Sequence, residues 1–203
     1  MLTSLPLSGK TSLISSILNL LEHTGTISID GTDVQTVPKS FLRSRIITIP
    51  QDGLELSASL RVNLDPAGEN NSNRTVADET LKSVLKRVGL LDAVQGRGGL
   101  DMALQRLMLS PVQKQLLCLA RAILARVSTK SRIVLIDEAT NSIDAIQYKQ
   151  LQSIIAREFT ECTVISVTHH RDGVEFADMV LEMSDGKIAR VLNRHTKEIQ
   201  DLS

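Results

Sequence analysis

The sequence predicts an α/β fold: a mostly parallel sheet with helices on its faces and a helical block inserted into it. Three observations carry this reading. Short β-branched apolar runs alternate with helix-period segments along the chain. A Gly-Lys-Thr tripeptide, Gly9–Thr11, stands at the mouth of an apolar helix. The acidic pair Asp137-Glu138 closes the apolar run Ile133–Ile136, at the strand end where open α/β sheets place their chemistry.

Taken in order, the first helix starts at the phosphate-loop-like string Leu7–Leu13, with Leu13, Ile14, Ile17, Leu18 and Leu21 recurring at helical spacing. Thr26–Asp30 and Arg45–Pro50 read as strands, the first ending in the turn pair Asp30-Gly31. The polar tract Glu69–Arg74 reads as a loop. A helix follows with Ala77, Leu81, Val84, Leu85 and Val88 on one face, Thr75 as its expected cap and Gly89 as its stop. The next helix runs from Pro111 to about Val127; Ser110 is the expected N-cap, Pro111 the first helical residue and Gln113 the capping-box partner. Thr163–Val167 is another short strand. Met179–Met183 and Lys187–Val191, joined by Ser184-Asp185-Gly186, form a closing hairpin. The division is therefore an α/β core of residues 1–56 and 129–203 and a helical subdomain of residues 57–128.

Composition narrows the function classes. Lys+Arg and Asp+Glu both number 23, so no net field attracts nucleic acid or an anionic membrane, and 2% aromatic residues leave little for base stacking. No stretch approaches the roughly 20 apolar residues of a membrane span. The best candidate, Leu116–Val127, carries Arg121 and Arg126. Cys118 and Cys162 match no metal or redox spacing and read as buried thiols in a reducing compartment.

Four fragments, in order, carry the chemistry: LSGKTSL (7–13), IPQD (49–52), LSPVQKQL (109–116) and RIVLIDEAT (132–140). At the helix mouth, Ser8, Gly9, Lys10, Thr11 and Ser12 would meet phosphate, because a helix N-terminus offers N–H donors and a positive dipole end. Lys10 would reach the β- and γ-phosphates and the Thr11 hydroxyl would ligate Mg²⁺. Asp137 would hold the metal and Glu138 would polarise the attacking water. Gln51, after the strand 46–50, could reach metal or water, and His169, after the strand 163–167, could contact the γ-phosphate. Each residue has a plainer reading beside the chemical one. GKT can open a helix by chance, acids often end strands, a glutamine after a strand is usually a loop residue, and Ser110 can be a simple cap. His170 beside His169 raises a metal pair, but adjacent side chains seldom converge on one ion and no third ligand is evident.

The strings IVLIDEAT, NSID (141–144), TH (168–169) and LSxxQxQL together resemble the nucleotide-binding domain of ATP-binding cassette (ABC) transporters over nearly the whole chain. GTISIDGTDV, SRIITIPQD, SLRVNLDP, QLLCLARAIL and CTVISVTH narrow the resemblance to the second, C-terminal ATP-binding domain of the multidrug-resistance-associated subfamily, with a fungal character. The resemblance implies a P-loop ABC-type ATPase core that binds ATP and Mg²⁺ and hydrolyses ATP. It places Gly9, Lys10 and Thr11 in the phosphate loop, Gln51 in the Q-loop, Ser110 and Gln113 in the signature, and Asp144 in the D-loop. Asp137 becomes the metal aspartate, Glu138 the catalytic glutamate and His169 the switch histidine. It implies as partners a second nucleotide-binding domain and the transmembrane domains of an exporter, and a position at the cytoplasmic face of a vacuolar or plasma membrane.

Three departures set a competing expectation. Val112 stands where the family's signature has glycine, Ser4 and Leu7 replace phosphate-loop glycines, and Pro6 has no N–H to give. The strand preceding the loop and the adenine-stacking aromatic upstream of it are expected to be missing, as in a fragment, a truncated gene product or a misdrawn gene start. The alternative to an ATPase is therefore a degenerate, non-hydrolysing module that acts only by interaction. A soluble ABC ATPase of DNA repair or chromosome maintenance would need long coiled coils or a basic face, and the chain has neither.

Overall fold

A computed structural model describes residues 2–3, 9–50, 53–69, 76–137, 144–168, 175–193 and 199–201. Ser4, Pro6, Leu7, Ser8, Gln51, Thr75, Glu138, His169 and His170 lie outside the described residues, as does most of the tract 69–74. The chain forms two compact units, one of residues 1–51, 129–141 and 159–203, the other of residues 52–128 and 142–158.

The first unit is built on a seven-stranded sheet in the order β4-β5-β6-β1-β7-β8-β9. Its strands are β1 (Leu2–Thr3), β4 (Ile46–Ile49), β5 (Ile133–Ile136), β6 (Thr163–Thr168), β7 (Met179–Ser184), β8 (Lys187–Asn193) and β9 (Ile199–Asp201). β4, β5 and β6 are almost continuous runs of Ile, Val, Leu and Thr, which is how strands of a parallel sheet covered on both faces read. β4 pairs with β5 and β5 with β6 in parallel, with Ile49 opposite Ile136 and Ile136 opposite Ser166. β1 pairs in parallel with β6 and β7, Leu2 lying between Val167 and Leu181. β1 thus places two residues, Leu2 and Thr3, between β6 and β7 ahead of the phosphate-loop-like string.

Local turn chemistry sets the two hairpins. Asp30 and Gly31 both have positive φ (49° and 76°), as do Asp185 and Gly186 (51° and 76°), the two-residue turn whose twist matches antiparallel strands. The first turn joins β2 (Ser28–Ile29) to β3 (Thr32–Asp33), a separate two-stranded sheet, and the second joins β7 to β8. Helix α1 (Lys10–Ile17) buries Ile14, which joins Leu18, Val34, Leu42, Ile46, Leu135, Val167 and Met183 in one core cluster. Leu42 comes from α2 (Lys39–Ser44). Leu21, expected on the buried face of α1, is 45% exposed because the helix stops at Ile17.

The second unit holds the helices α3 (Leu60–Leu64), α4 (Pro66–Glu69), α5 (Asp78–Arg87), α6 (Leu91–Gln95), α7 (Pro111–Thr129, its last residue in the first unit) and α8 (Ala145–Glu158). α5 is written end to end in its sequence. Asp78 and Glu79 face the positive end of its dipole, Lys86 and Arg87 the negative end. Gly89, with φ 77°, closes it: the N–H of Gly89 donates to Lys86 and that of Leu90 to Leu85, the paired bonds of a Schellman stop. Its N-cap is Ala77 rather than Thr75. Cys118 on α7 is buried as expected, whereas Cys162 is only half-buried.

Candidate functional site

Four neighbouring strands, β4, β5, β6 and β1, run parallel, so their C-terminal ends share one edge of the sheet. At that edge β4 ends at Ile49, β5 at Ile136 with Asp137 directly after it, β6 at Thr168 and β1 at Thr3. Topology, with the approach of Gly9 to Gly186 after β7, thus brings Gly9 and Asp137, 128 positions apart (137 − 9), to one edge. Gln51, Glu138 and His169 are outside the described residues.

Gly9 is the N-cap of α1 and takes a left-handed conformation, φ 90° and ψ 7°, which a side chain would strain. A Cβ there would also lie 3.5 Å from the Cα of Gly186 in the β7–β8 turn. The first intrahelical bond runs from the N–H of Leu13 to the carbonyl of Gly9, at 3.0 Å. The first-turn amides of a helix have no intrahelical acceptor of their own. Among the described residues no side chain caps α1, and no acidic residue stands in its first turn. Lys10 is buried to 4% exposure, an unusual condition for a lysine, while Thr11 and Ser12 are exposed.

Asp137 directly follows β5. Its N–H donates to the Ile49 carbonyl at 3.0 Å, extending the β4–β5 ladder by one bond and fixing the backbone of the acidic residue against the strand that leads to Gln51. Its Oδ1 is withdrawn from solvent. A carboxylate held at a strand end, on the sheet edge that Gly9 also reaches, is the kind of hard oxygen donor that Mg²⁺ takes. Among the described residues no three His, Cys, Asp or Glu cluster as a protein-only metal site.

In the second unit Ser110 and Gln113 form the predicted capping box. The Ser110 N–H donates to Gln113 Oε1 at 3.0 Å and the Gln113 N–H to Ser110 Oγ at 3.3 Å. Ser110 is exposed and Val112 half-buried in the first turn of α7. Asp144 is the N-cap of α8, its Oδ1 accepting from the Gln147 N–H at 2.8 Å. Both Ser110 and Asp144 therefore have a structural duty as helix caps.

Sequence reasoning missed one buried arrangement. Asn63 is fully buried and closes the loop 56–59: its Nδ2 donates to the carbonyls of Leu56, Ala58 and Ser59, and its Oδ1 accepts from the Leu56 N–H. Arg121 on α7 donates to Asn63 and to the Leu54 carbonyl. Burial lowers the pKa of this guanidinium. The signal was Arg121 inside the apolar run Leu116–Val127, where a cation must find acceptors.

Comparison with known proteins agrees with this geometry. Residues 8–141, well over half of the chain, match the sequence profile of ABC transporters. The chain is 36% identical over 202 residues to an ABC-type transporter of Gibberella zeae, covering 96% of this chain and 13% of that protein. It is 36% identical over 182 residues to ABC multidrug transporter B of Aspergillus fumigatus, covering 89% and 12%. With ATP-binding cassette sub-family C member 2 of Rattus norvegicus it shares 36% identity over 186 residues, covering 89% and 11%. The chain thus spans about an eighth of the length of these relatives. A bacterial Atm1-family ABC exporter solved with ATP bound superposes with a TM-score of 0.79 at 23% identity, over 96% of this chain and 33% of that one, which shows a shared fold. By its sequence match and its fold, the chain belongs to the ABC transporter family, as a nucleotide-binding domain with relatives among fungal ABC transporters and sub-family C.

Proposed function

We propose that the chain binds Mg²⁺-ATP and hydrolyses it as the nucleotide-binding domain of a membrane exporter. The observation that carries this is the start of α1: a left-handed Gly9, a buried Lys10 and no acidic residue in the first turn, at the sheet edge that also bears Asp137. There the phosphates of ATP meet the first-turn amides, Lys10 and the hydroxyls of Ser8, Thr11 and Ser12. Thr11, Asp137 and Gln51 would hold Mg²⁺, which would supply neutralisation of phosphate charge there. Glu138 orients the attacking water and His169 reads the γ-phosphate.

Ser110, Gln113 and Asp144 contact nucleotide held by a second domain, so that ATP favours a closed pair and hydrolysis reopens it. Transmembrane domains convert that cycle into export, at the cytoplasmic face of a membrane. Among the described residues no helix is long and apolar enough to cross a membrane.

Binding is tested by titrating the chain with a fluorescent ATP analogue. Saturable, Mg²⁺-dependent binding that Lys10→Ala weakens at least tenfold supports the reading, and equal binding by Lys10→Ala defeats it. A second reading, a non-hydrolysing partner module, is favoured by one feature: Val112 places a branched side chain in the first turn of α7, where close backbone approach to phosphate needs glycine. Binding that passes the first test without phosphate release would select it.

A further inference from the structure

We propose a second ligand site in the sheet-bearing unit, at the end of β4 and β5 remote from Asp137, which takes a small amphipathic organic anion. A cavity of about 350 Å³ opens there, within the size range of small-molecule sites. Ile46 and Ile133, the first residues of β4 and β5, line it together with Val34, Val37, Phe41 and Leu42. Val34, Leu42 and Ile46 are buried, so the floor is apolar and fixed by the core cluster.

Cations line this apolar floor. Arg45, Lys130 and Arg132 line the cavity, with Asp30 as the one carboxylate among its described lining residues. The whole chain has a formal net charge of zero, so this excess of positive charge is local. The Arg45 guanidinium is held in place, 5.3 Å above the Phe41 ring and donating to the Thr129 carbonyl at 3.4 Å. Lys130 takes a left-handed φ of 54°, uncommon for a non-glycine residue, in a turn braced by the 2.6 Å bond between the Thr129 and Ser131 hydroxyls. Among the described residues neither Lys130 nor Arg132 forms an ion pair.

Apolar burial and cationic headgroup capture call for a ligand with both parts, such as an aliphatic or aromatic carboxylate or sulfonate. Inorganic phosphate would lose hydration against the apolar floor without burying any apolar surface. The strand span Ile46–Ile49 alone separates the cavity from the nucleotide edge by about 10 Å, so the two ligands do not compete.

The probe is decanoate, titrated calorimetrically into the 203-residue chain, with decanol, decyltrimethylammonium and phosphate as controls. The expected result is one saturable decanoate site with a Kd on the order of 0.1 mM, not displaced by Mg²⁺-ATP. Lys130→Ala combined with Arg132→Ala removes two exposed side chains and should weaken decanoate roughly tenfold while leaving decanol unchanged. Val37→Trp should fill the cavity and weaken both; if that variant fails to fold, as judged by circular dichroism, the charge variant decides. Equal binding of the cationic amphiphile, undiminished decanoate affinity in the charge variant, or displacement by ATP would each overturn the proposal.

Discussion

Arg121 holds Asn63 at two points: its Nε donates to the Asn63 carbonyl at 2.6 Å and its Nη2 to the side-chain Oδ1 at 2.9 Å. The remaining arm, Nη1, donates to the Leu54 carbonyl at 2.5 Å. One guanidinium thus ties the segment that follows Gln51 to the helix that opens with Ser110. Ser110 caps this same helix and Arg121 lies three turns further along it, so the fork ties Leu54 and Asn63 to α7 within the second unit.

Removing this fork takes a donor from the main-chain carbonyl and from the Oδ1 of buried Asn63. Arg121→Ala should cost about 2–4 kcal/mol of stability. Arg121→Lys should recover little of it, because an ammonium cannot reach three acceptors in one plane. Urea unfolding midpoints of the three proteins check this; a lysine variant as stable as the parent would show that charge rather than geometry matters.

Gly53 sits against the same helix. A Cβ built there would lie 2.3 Å from Cys118 Sγ, closer than any tolerated contact, and burial raises the Cys118 pKa, so the thiol is neutral packing. Gly53→Ala should destabilise by about 1–3 kcal/mol, and adding Cys118→Ala should restore part of that. The check is a double-mutant cycle; strictly additive effects would contradict the clash.

Much of this fold is local and therefore legible in sequence. The Asp-Gly turns, the Ser110–Gln113 capping box and the Gly89 stop each depend on residues within five positions of one another. The strands 46–49, 133–136 and 163–168 announce themselves because buried parallel strands are apolar without interruption. What escaped the sequence is long-range or very short. The Arg121–Asn63 clamp joins residues 58 positions apart, and the two-residue β1 has no periodicity to detect. Leu21 fits the helical spacing of α1 but lies beyond its end, since spacing does not say where a helix stops. At the candidate site, the sequence named Lys10 and Asp137; the parallel run of β4, β5, β6 and β1 is what sets the edge at which Asp137 stands.

Glu158 provides a pH prediction. Its side chain is 3% exposed; burial alone would raise its pKa, but hydrogen bonds from Arg87 and Arg157 outweigh burial and hold it below the ordinary carboxylate value. A depressed folded-state pKa stabilises above the unfolded value, here near 4.5, and the contribution disappears as pH falls through the lower folded value. Glu158→Gln should therefore be about 1–2 kcal/mol less stable than the parent at pH 7, and the gap should close below about pH 4. Denaturant melts at pH 7, 5 and 3 measure it; a gap independent of pH would remove the ionic explanation.

The proposed signature role makes Val112→Gly informative. Glycine in the first turn of α7 should cost up to about 1 kcal/mol of helix stability yet raise ATP-dependent phosphate release several-fold at high protein concentration, where domains pair. Comparing turnover per chain across a concentration series reads this directly. A stability loss with no gain at any concentration would leave the branched side chain irrelevant to turnover.

The most direct test of the central claim is phosphate release from Mg²⁺-ATP by the purified chain beside Lys10→Ala and Glu138→Gln. The account predicts turnover in the parent, loss of both binding and turnover in Lys10→Ala, and retained binding without turnover in Glu138→Gln. A folded parent that neither binds nor hydrolyses Mg²⁺-ATP, or a Glu138→Gln variant that turns over as fast as the parent, would contradict it.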